Sequence, residues 1–257
     1  YAGKVEIIVR VSFRSKQAVV DLSRKFGCAL EELPLLVDLA QQNGIEIVGL
    51  SFHVGSQSLS PMTQTNAIRA SVAAMKVMNS VNWKFLDIGG SFPVSYQETV
   101  LPIDDFCAPL MEALSELPEG IEVFAEPGRF ISAPSMIEVV SVVGKAKRGA
   151  RMWYYLDDGV YGGFSGQMFD HASYPLAPLK PFDALGEFLP SVLAGPTCDS
   201  IDVVAEDIEL PEMQIGDILV GKQMGAYTIA SATEFNYYPK PKVVVVEDIF
   251  DPETEAL

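Results

Sequence analysis

The sequence predicts two kinds of structure in series: an α/β segment of the β/α-barrel type, then an all-β segment. Three observations carry this. Short apolar, β-branched runs alternate with helical patterns through the first half, the signature of parallel βαβ units. Glycine or polar residues recur just past the C-terminal end of each run, which in a β/α barrel is the functional face. From about Met136 onward, short strand-like runs separated by Gly and Pro replace the long helices. The first segment supplies four or five strands, about half of an eight-stranded barrel. The boundary is expected near residues 130–136, giving a partial barrel over 1–133 and a β-sandwich or barrel-like domain over 134–257.

Val5–Val11 (VEIIVRV) reads as a buried strand, and 16–24 as a short helix. Leu30–Asn43 carries apolar residues at helical spacing and stops at Gly44, a C-terminal cap signal. Ile45–His53 is a second strand, Pro61–Ser80 a long helix, and Trp83–Ile88 a third strand ending in Gly89-Gly90. Asp104–Glu116 is a helix and Ile121–Ala125 a fourth strand, ending in EPGR. In the second half, Ile137–Val143, Trp153–Leu156, Ile215–Val220, Tyr227–Ala230 and Lys242–Glu247 read as strands around a proline-rich run, Pro175–Pro190. The acidic tail, 248–257, is expected to fray.

Composition narrows the function. Hydrophobic residues at 49% and charged residues at 20% argue for a globular chain rather than a disordered one. The 34 acidic against 18 basic side chains leave a net charge of −16, which disfavours nucleic acid and anionic membrane and suits a cationic ligand. No apolar run reaches the roughly 18 residues of a membrane span. The cysteines Cys28, Cys107 and Cys198 are odd in number and far apart, which suggests free thiols in a reducing, cytoplasmic setting. With His53 and His171 as the two histidines and no CxxC, no metal site is read.

Four stretches can carry chemistry. GPTCDSID, Gly195–Asp202, sets the thiol of Cys198 beside the carboxylate of Asp199, with Asp202 following. A loop is the usual place for such groups, though an incidental cysteine in a surface turn fits the same letters. SFHVGSQ puts His53 at a strand end near Ser56, suited to a flat ring and a phosphate or, equally, to a structural imidazole. DIGGSFP, Asp87–Pro93, is a glycine loop whose N–H groups can cradle an anion, and tight turns look the same. AEPGR offers Glu126 to a ring nitrogen and the Gly128 and Arg129 amides to a phosphate; an ordinary Glu–Arg turn is the other reading. DDGVYGGF, FDHASYPL and GAYT add Tyr161, Asp170 and Tyr227, each tyrosine being compatible with a plain core role.

Taken in order, HVGSQ, DIGG-FP, EPGR, DDGVYG-F, DHA, GPTCDSID and GAYT closely resemble the ornithine/lysine decarboxylase family, fold-type III pyridoxal-phosphate enzymes built from a β/α barrel and a C-terminal β domain. CDSID and DHA are similar to the ornithine/lysine branch, since diaminopimelate decarboxylases usually carry Glu after the cysteine, where Asp199 stands here.

The resemblance implies roles. His53 stacks on the pyridine ring, Ser56 contacts the phosphate, and Glu126 holds the ring nitrogen. The Gly90-Ser91 loop, the Pro127-Gly128-Arg129 turn and Tyr227 serve the phosphate. Asp199 and Asp170 hold the distal ammonium of a diamino acid, with Phe169 and Tyr161 beside them. Cys198 protonates the α-carbon. The active unit is a homodimer whose Cys198 loop enters the partner's site, with Lys25 and Asp202 as a bridging pair. Two departures stand out. Ser91 replaces a family glycine, costing about 1 kcal/mol if that position needs a positive φ. None of the eleven lysines has the AVKxN-like context of the family's cofactor-anchoring lysine, so the chain resembles the C-terminal part of such an enzyme, including the C-terminal part of the (β/α)8 barrel. The expected activity is decarboxylation of ornithine or lysine, or both, to a diamine. A non-catalytic, antizyme-inhibitor-like binder and an amino-acid racemase on the same barrel are the rivals.

Overall fold

The computed structural model describes residues 3–13, 25–180 and 186–246. The expected helix at 16–24, the tail at 248–257 and part of the proline-rich run lie outside the described residues. The chain divides into two compact units, Tyr1–Ser135 and Met136–Leu257.

The first unit is a four-stranded parallel sheet in the order β1-β2-β3-β4, formed by β1 (Glu6–Val11), β2 (Glu46–Phe52), β3 (Phe85–Asp87) and β4 (Glu122–Phe124). The connections are α1 (Leu33–Gln42), α2 (Pro61–Val77) and α3 (Ile103–Leu114). A 3-10 turn at Leu30–Glu32 leads into α1, and the Glu32 carboxylate accepts the Ala29 N–H at 2.8 Å. Pro34 in the first turn of α1 and Gly44 at φ 67° just beyond it bracket the helix. Leu50, Phe52, Ile68, Val72, Leu86, Phe106 and Leu110 pack as one core between sheet and helices. Gly49 in β2 is there for space: a Cβ would lie 2.8 Å from the Phe85 carbonyl oxygen. Because all four strands run the same way, their C-terminal ends present His53, Gly89–Ser91 and Glu126–Arg129 along one edge. A short helix, α4 (Gly128–Ser132), follows β4 directly, which the periodicity did not indicate.

The second unit is a mixed six-stranded sheet in the order β7-β10-β5-β6-β8-β9. Its strands are β5 (Glu138–Arg148), β6 (Arg151–Leu156), β7 (Leu176–Pro178), β8 (Phe188–Ala194), β9 (Val203–Pro211) and β10 (Ile218–Gly221). The pairs are antiparallel except β6–β8. β5 and β6 turn at Gly149, φ 62°, in a two-residue antiparallel hairpin. Val140, Val142, Tyr154, Leu156, Val192, Leu193 and Leu219 are buried in this unit. A single-turn helix, α5 (Gly166–Asp170), sits between β6 and β7.

Two expected strands are corrected. Tyr227–Ala230 is a turn: Tyr227 takes a left-handed φ of 56°, and the Thr228 hydroxyl donates back to the Met224 carbonyl, which closes the chain locally instead of leaving it extended. Lys242–Val246 has no ladder partner among the described residues, and Val243 to Val246 are each more than half exposed. Three strands were hidden from the sequence: β7 (Leu176–Pro178), which lies inside the expected proline-rich run, and β8 and β9. β8 contains Pro190 inside a proline-rich stretch, and β9 carries Glu206, Asp207 and Glu209, tolerated because β9 is an edge strand.

Candidate active site

In the first unit, the sheet edge gathers the residues expected there. His53 follows β2, and its Nδ1 accepts the Gly55 N–H at 3.1 Å. That leaves Nε2 to carry the proton of a neutral ring. Burial, then the Arg10 charge, push the His53 pKa below its ordinary value, against a smaller opposing pull from Asp87. The ring is therefore a flat neutral surface at neutral pH. Gly90 lies against it so closely that a Cβ would sit 2.8 Å from Nε2 and 2.9 Å from the Glu126 carbonyl.

The glycine loop is held from three sides. Asp87 Oδ1 accepts the Gly89 N–H at 2.8 Å. The Glu126 N–H donates to the Gly89 carbonyl at 2.8 Å. The fully buried Gln64 of α2 donates through Nε2 to the Ile88 and Gly90 carbonyls at 3.0 and 3.1 Å. Ser91 does occupy a left-handed φ, 82°, and its hydroxyl donates to the Gly55 carbonyl.

The Arg129 side chain is 7% exposed. Its Nε and Nη2 donate to Ser56 Oγ at 3.3 and 3.1 Å, and Nη1 donates to the Tyr96 hydroxyl at 2.7 Å. Ser56 Oγ accepts there, so its own proton points to some other acceptor. The backbone of Pro127 turns the chain into α4, and the Gly128 N–H donates to the Glu126 carbonyl at 2.7 Å. Glu126 itself is exposed.

In the second unit, the Gly195–Asp202 loop is clamped by its own last residue. Asp202 is 2% exposed. Its Oδ1 accepts the Val160 N–H at 2.9 Å, and its Oδ2 accepts the Thr197 N–H and hydroxyl at 3.0 and 2.7 Å. Within the single chain Asp202 is thus a clamp between the loop and the Asp157–Phe164 turn. No salt bridge reaches it among the described residues. Lys25 lies on the other unit, its ammonium 5.0 Å from the centre of the Phe26 ring.

The clamp leaves Cys198 exposed and Asp199 accessible. The Tyr161 hydroxyl donates to Asp199 Oδ2 at 2.5 Å, and Asp199 Oδ1 accepts the Ile201 N–H at 3.2 Å. These bonds, the tyrosine's first, hold the Asp199 carboxyl below its usual range, and the same contact pushes the Tyr161 hydroxyl up to about 12. Asn236 Nδ2 donates to Cys198 Sγ at 3.2 Å, and the neighbouring Phe235 ring stacks on Tyr161 with centroids 4.3 Å apart.

The remaining residues join this cluster through backbone ties. Gln167 of α5 donates to the Val203 carbonyl, so Phe169 and Asp170 ride on a helix fastened beside the loop's exit. The Ser165 hydroxyl donates to the Thr228 carbonyl, and Gly166 packs so that a Cβ would meet the Tyr227 carbonyl oxygen at 2.8 Å. Phe169 and Tyr227 are 58% and 54% exposed, so each offers its ring outward. Sequence reasoning missed Gln64, Tyr96, Thr197, Phe235 and Asn236. A buried glutamine on an apolar helix face was a signal available for Gln64; the others act through distant pairings that no local pattern carries.

Comparison with known proteins agrees with the fold. The family model described as pyridoxal-dependent decarboxylase, pyridoxal binding domain, matches residues 1–133. A lysine/ornithine decarboxylase of Selenomonas ruminantium is 38% identical over 257 residues, 98% of this chain and 63% of that protein. The crystal structure of a lysine/ornithine decarboxylase from Vibrio vulnificus complexed with putrescine is 50% identical with a TM-score of 0.86, covering 95% of this chain and 64% of that one. Antizyme inhibitor 2 of Xenopus laevis is 32% identical over 92% of this chain and 56% of its own length. The chain therefore spans less than two thirds of the length of each of these relatives.

Proposed function

Because the chain belongs to the pyridoxal-dependent decarboxylase family, we propose that it forms the larger part of an enzyme that decarboxylates a diamino acid, ornithine or lysine or both, to a diamine. The observation that carries this reading is the pairing of an anchored carboxylate, Asp199, with an exposed thiol, Cys198, on one clamped loop. An ionised carboxylate is what a distal ammonium needs, and a thiol is a proton donor of suitable reach for the carbon that loses CO2.

The first unit fits pyridoxal phosphate. A neutral His53 ring accommodates a flat heterocycle, and Gly90, where a Cβ would lie 2.8 Å from Nε2, packs against the ring's edge. Buried Arg129, with Ser56 beside it, suits a phosphate, as do the Gly90-Ser91 loop and the Arg129 amide, whereas the Gly128 N–H expected to join them is given to the Glu126 carbonyl. Exposed Glu126 would face the ring nitrogen and keep it protonated. Tyr227 is assigned to the phosphate, and Asp170 with Phe169 to the substrate side chain. When bound, the cofactor supplies an electron sink for the pair left on the α-carbon as the carboxylate departs.

Asp199 keeps its charge because Tyr161 donates to it, and an ionised carboxylate there suits the substrate's far amine. Cys198 gives its proton to the α-carbon, and the thiolate regains one from water. Asn236 fixes the direction of Sγ. We assign the working unit as a homodimer in which the loop of one copy completes the site of its partner, with Lys25 and Asp202 pairing across the interface. Its three free cysteines suit a cytoplasmic location.

The direct test incubates the full-length protein and pyridoxal phosphate with L-ornithine and with L-lysine and measures CO2 and diamine together. Stoichiometric release of both supports the reading. Racemised amino acid without CO2, or no turnover at all from a folded, cofactor-loaded protein, overturns it in favour of a racemase or a binding protein.

A further inference from the structure

Tyr161, the residue that holds Asp199, sits in a turn whose own support comes from a second pair of acids. Asp158 opens that turn. Its Oδ1 accepts the Gly159 N–H at 2.8 Å and its Oδ2 the Gly163 N–H at 2.7 Å, so one carboxylate spans the residues on both sides of Tyr161. Glu138, at the start of β5, reaches the same place, its Oε2 and the Asp158 carboxyl both bordering Gly163. At Gly163 a Cβ would lie 2.6 Å from Glu138 Oε2 and 2.8 Å from Asp158 Oδ2, so the two carboxyl groups converge on the bare face of that glycine. Two carboxylates cannot hydrogen-bond each other unless one keeps its proton.

The proton's place follows from the surroundings. Asp158 accepts two backbone N–H groups, which favour its charged form and oppose the burial that raises its pKa. Glu138 is pushed up to about 7, first by burial, then by the charges of Asp158 and Asp157. Around the pair, Asp157 faces it from β6's end with its Oδ1 on the Ser141 N–H, and Asp202 faces Asp158 from the Cys198 loop. From β10, Glu138's register partner is the uncharged Gly221, followed by exposed Lys222. No salt bridge reaches Glu138 or Asp158 among the described residues.

We propose that Glu138 and Asp158 share one proton and act as a positioning pair, locking the turn that carries Tyr161 and thereby aligning Asp199 for a substrate ammonium. This rests on the substrate role given to Asp199 above. While Glu138 holds its proton, its O–H donates to Asp158 and the turn is tied to β5. When the proton leaves, two carboxylates face each other at Gly163, the tie becomes a repulsion, and the Tyr161–Asp199 contact loosens. Neither acid touches substrate or cofactor; the effect is transmitted through Tyr161.

The test uses the full-length protein as wild type, Glu138→Gln and Glu138→Ala, with tyrosine isotope-labelled at Cζ and the Tyr161 resonance assigned by its loss in Tyr161→Phe. Two quantities are followed across a midpoint of about 7: that resonance and the KM for the diamino acid. Wild type is expected to show both moving together, KM rising roughly fivefold or more on the alkaline side. Glu138→Gln keeps an N–H donor and cannot ionise, so both stay at their acidic-side values. Glu138→Ala has no donor and holds both at their alkaline-side values. A Tyr161 resonance that titrates identically in wild type and Glu138→Gln overturns the pair. A resonance that titrates only in wild type, with KM unmoved, upholds the pair and removes Asp199 from substrate recognition, so the two failures are told apart.

Discussion

The Tyr161 hydroxyl donates a 2.5 Å hydrogen bond to Asp199 Oδ2 across 38 residues of sequence, and it joins the turn after β6 to the loop after β8. Because the bond favours the charged carboxylate, its removal has a definite sign. In Tyr161→Phe the Asp199 pKa rises from its depressed position, so the ammonium-binding charge is lost at a higher pH on acidification. The acidic limb of kcat/KM should therefore move toward neutrality, with KM raised about tenfold. Asp199→Asn should raise KM more, on both ornithine and lysine. A Tyr161→Phe profile superimposable on wild type would remove the bond from substrate binding.

Cys198→Ala should bind cofactor and substrate with wild-type absorbance changes yet lose about 100- to 10,000-fold in turnover to the correct diamine, the usual contribution of a positioned acid. The same turnover and product in the mutant would show that another group delivers the proton.

Ser91 pits backbone strain against a hydrogen bond. A left-handed φ of 82° costs a non-glycine residue about 1 kcal/mol, and the hydroxyl bond to Gly55 returns about 1 kcal/mol. Ser91→Gly should thus be near neutral in thermal melts, whereas Ser91→Ala keeps the strain, loses the bond and melts lower. The reverse order of stability would contradict this balance.

Gly195 is required by space rather than by torsion. A Cβ there would lie 2.1 Å from Asp202 Oδ1 and 2.5 Å from Oδ2. Gly195→Ala should cost about 1–3 kcal/mol through overpacking and disturb the loop that carries Cys198. Gly186→Ala, where nothing lies within 4 Å of the new atom, is the control and should be silent. Equal melting of the two variants would show that the clamp yields freely.

If sites are completed across a two-fold interface, then mixing full-length Cys198→Ala with a full-length variant lacking the cofactor-anchoring lysine should restore part of the activity, since one site in the heterodimer is intact. No recovery, with subunit exchange demonstrated, would place each site within one chain.

The sequence by itself determined the strand–helix alternation of the first unit, because parallel strands leave dense β-branched runs and helices leave a 3.6-residue period; the burial expected of Val5–Val11 did not follow, since Glu6, Ile7 and Ile8 of β1 are exposed. It also determined the order of HVGSQ, DIGG, EPGR and GPTCDSID, whose glycines and turn residues are local necessities. The second unit was legible only in part. β9 hides behind its acids, which its edge position makes acceptable, and β8 behind Pro190, which stands just before the β6 ladder begins at Ser191; both are properties of the sheet and not of the strand. GAYT looked extended, yet the Thr228 bond to Met224 folds it into a turn. Tertiary structure alone decided that Asp202 ties its loop to Val160, that Asn236 addresses Cys198, and that Glu138 meets Asp158 at Gly163. Each of these depends on residues from separate strands or loops coming within hydrogen-bonding reach, and no periodicity along one segment encodes a distance to another.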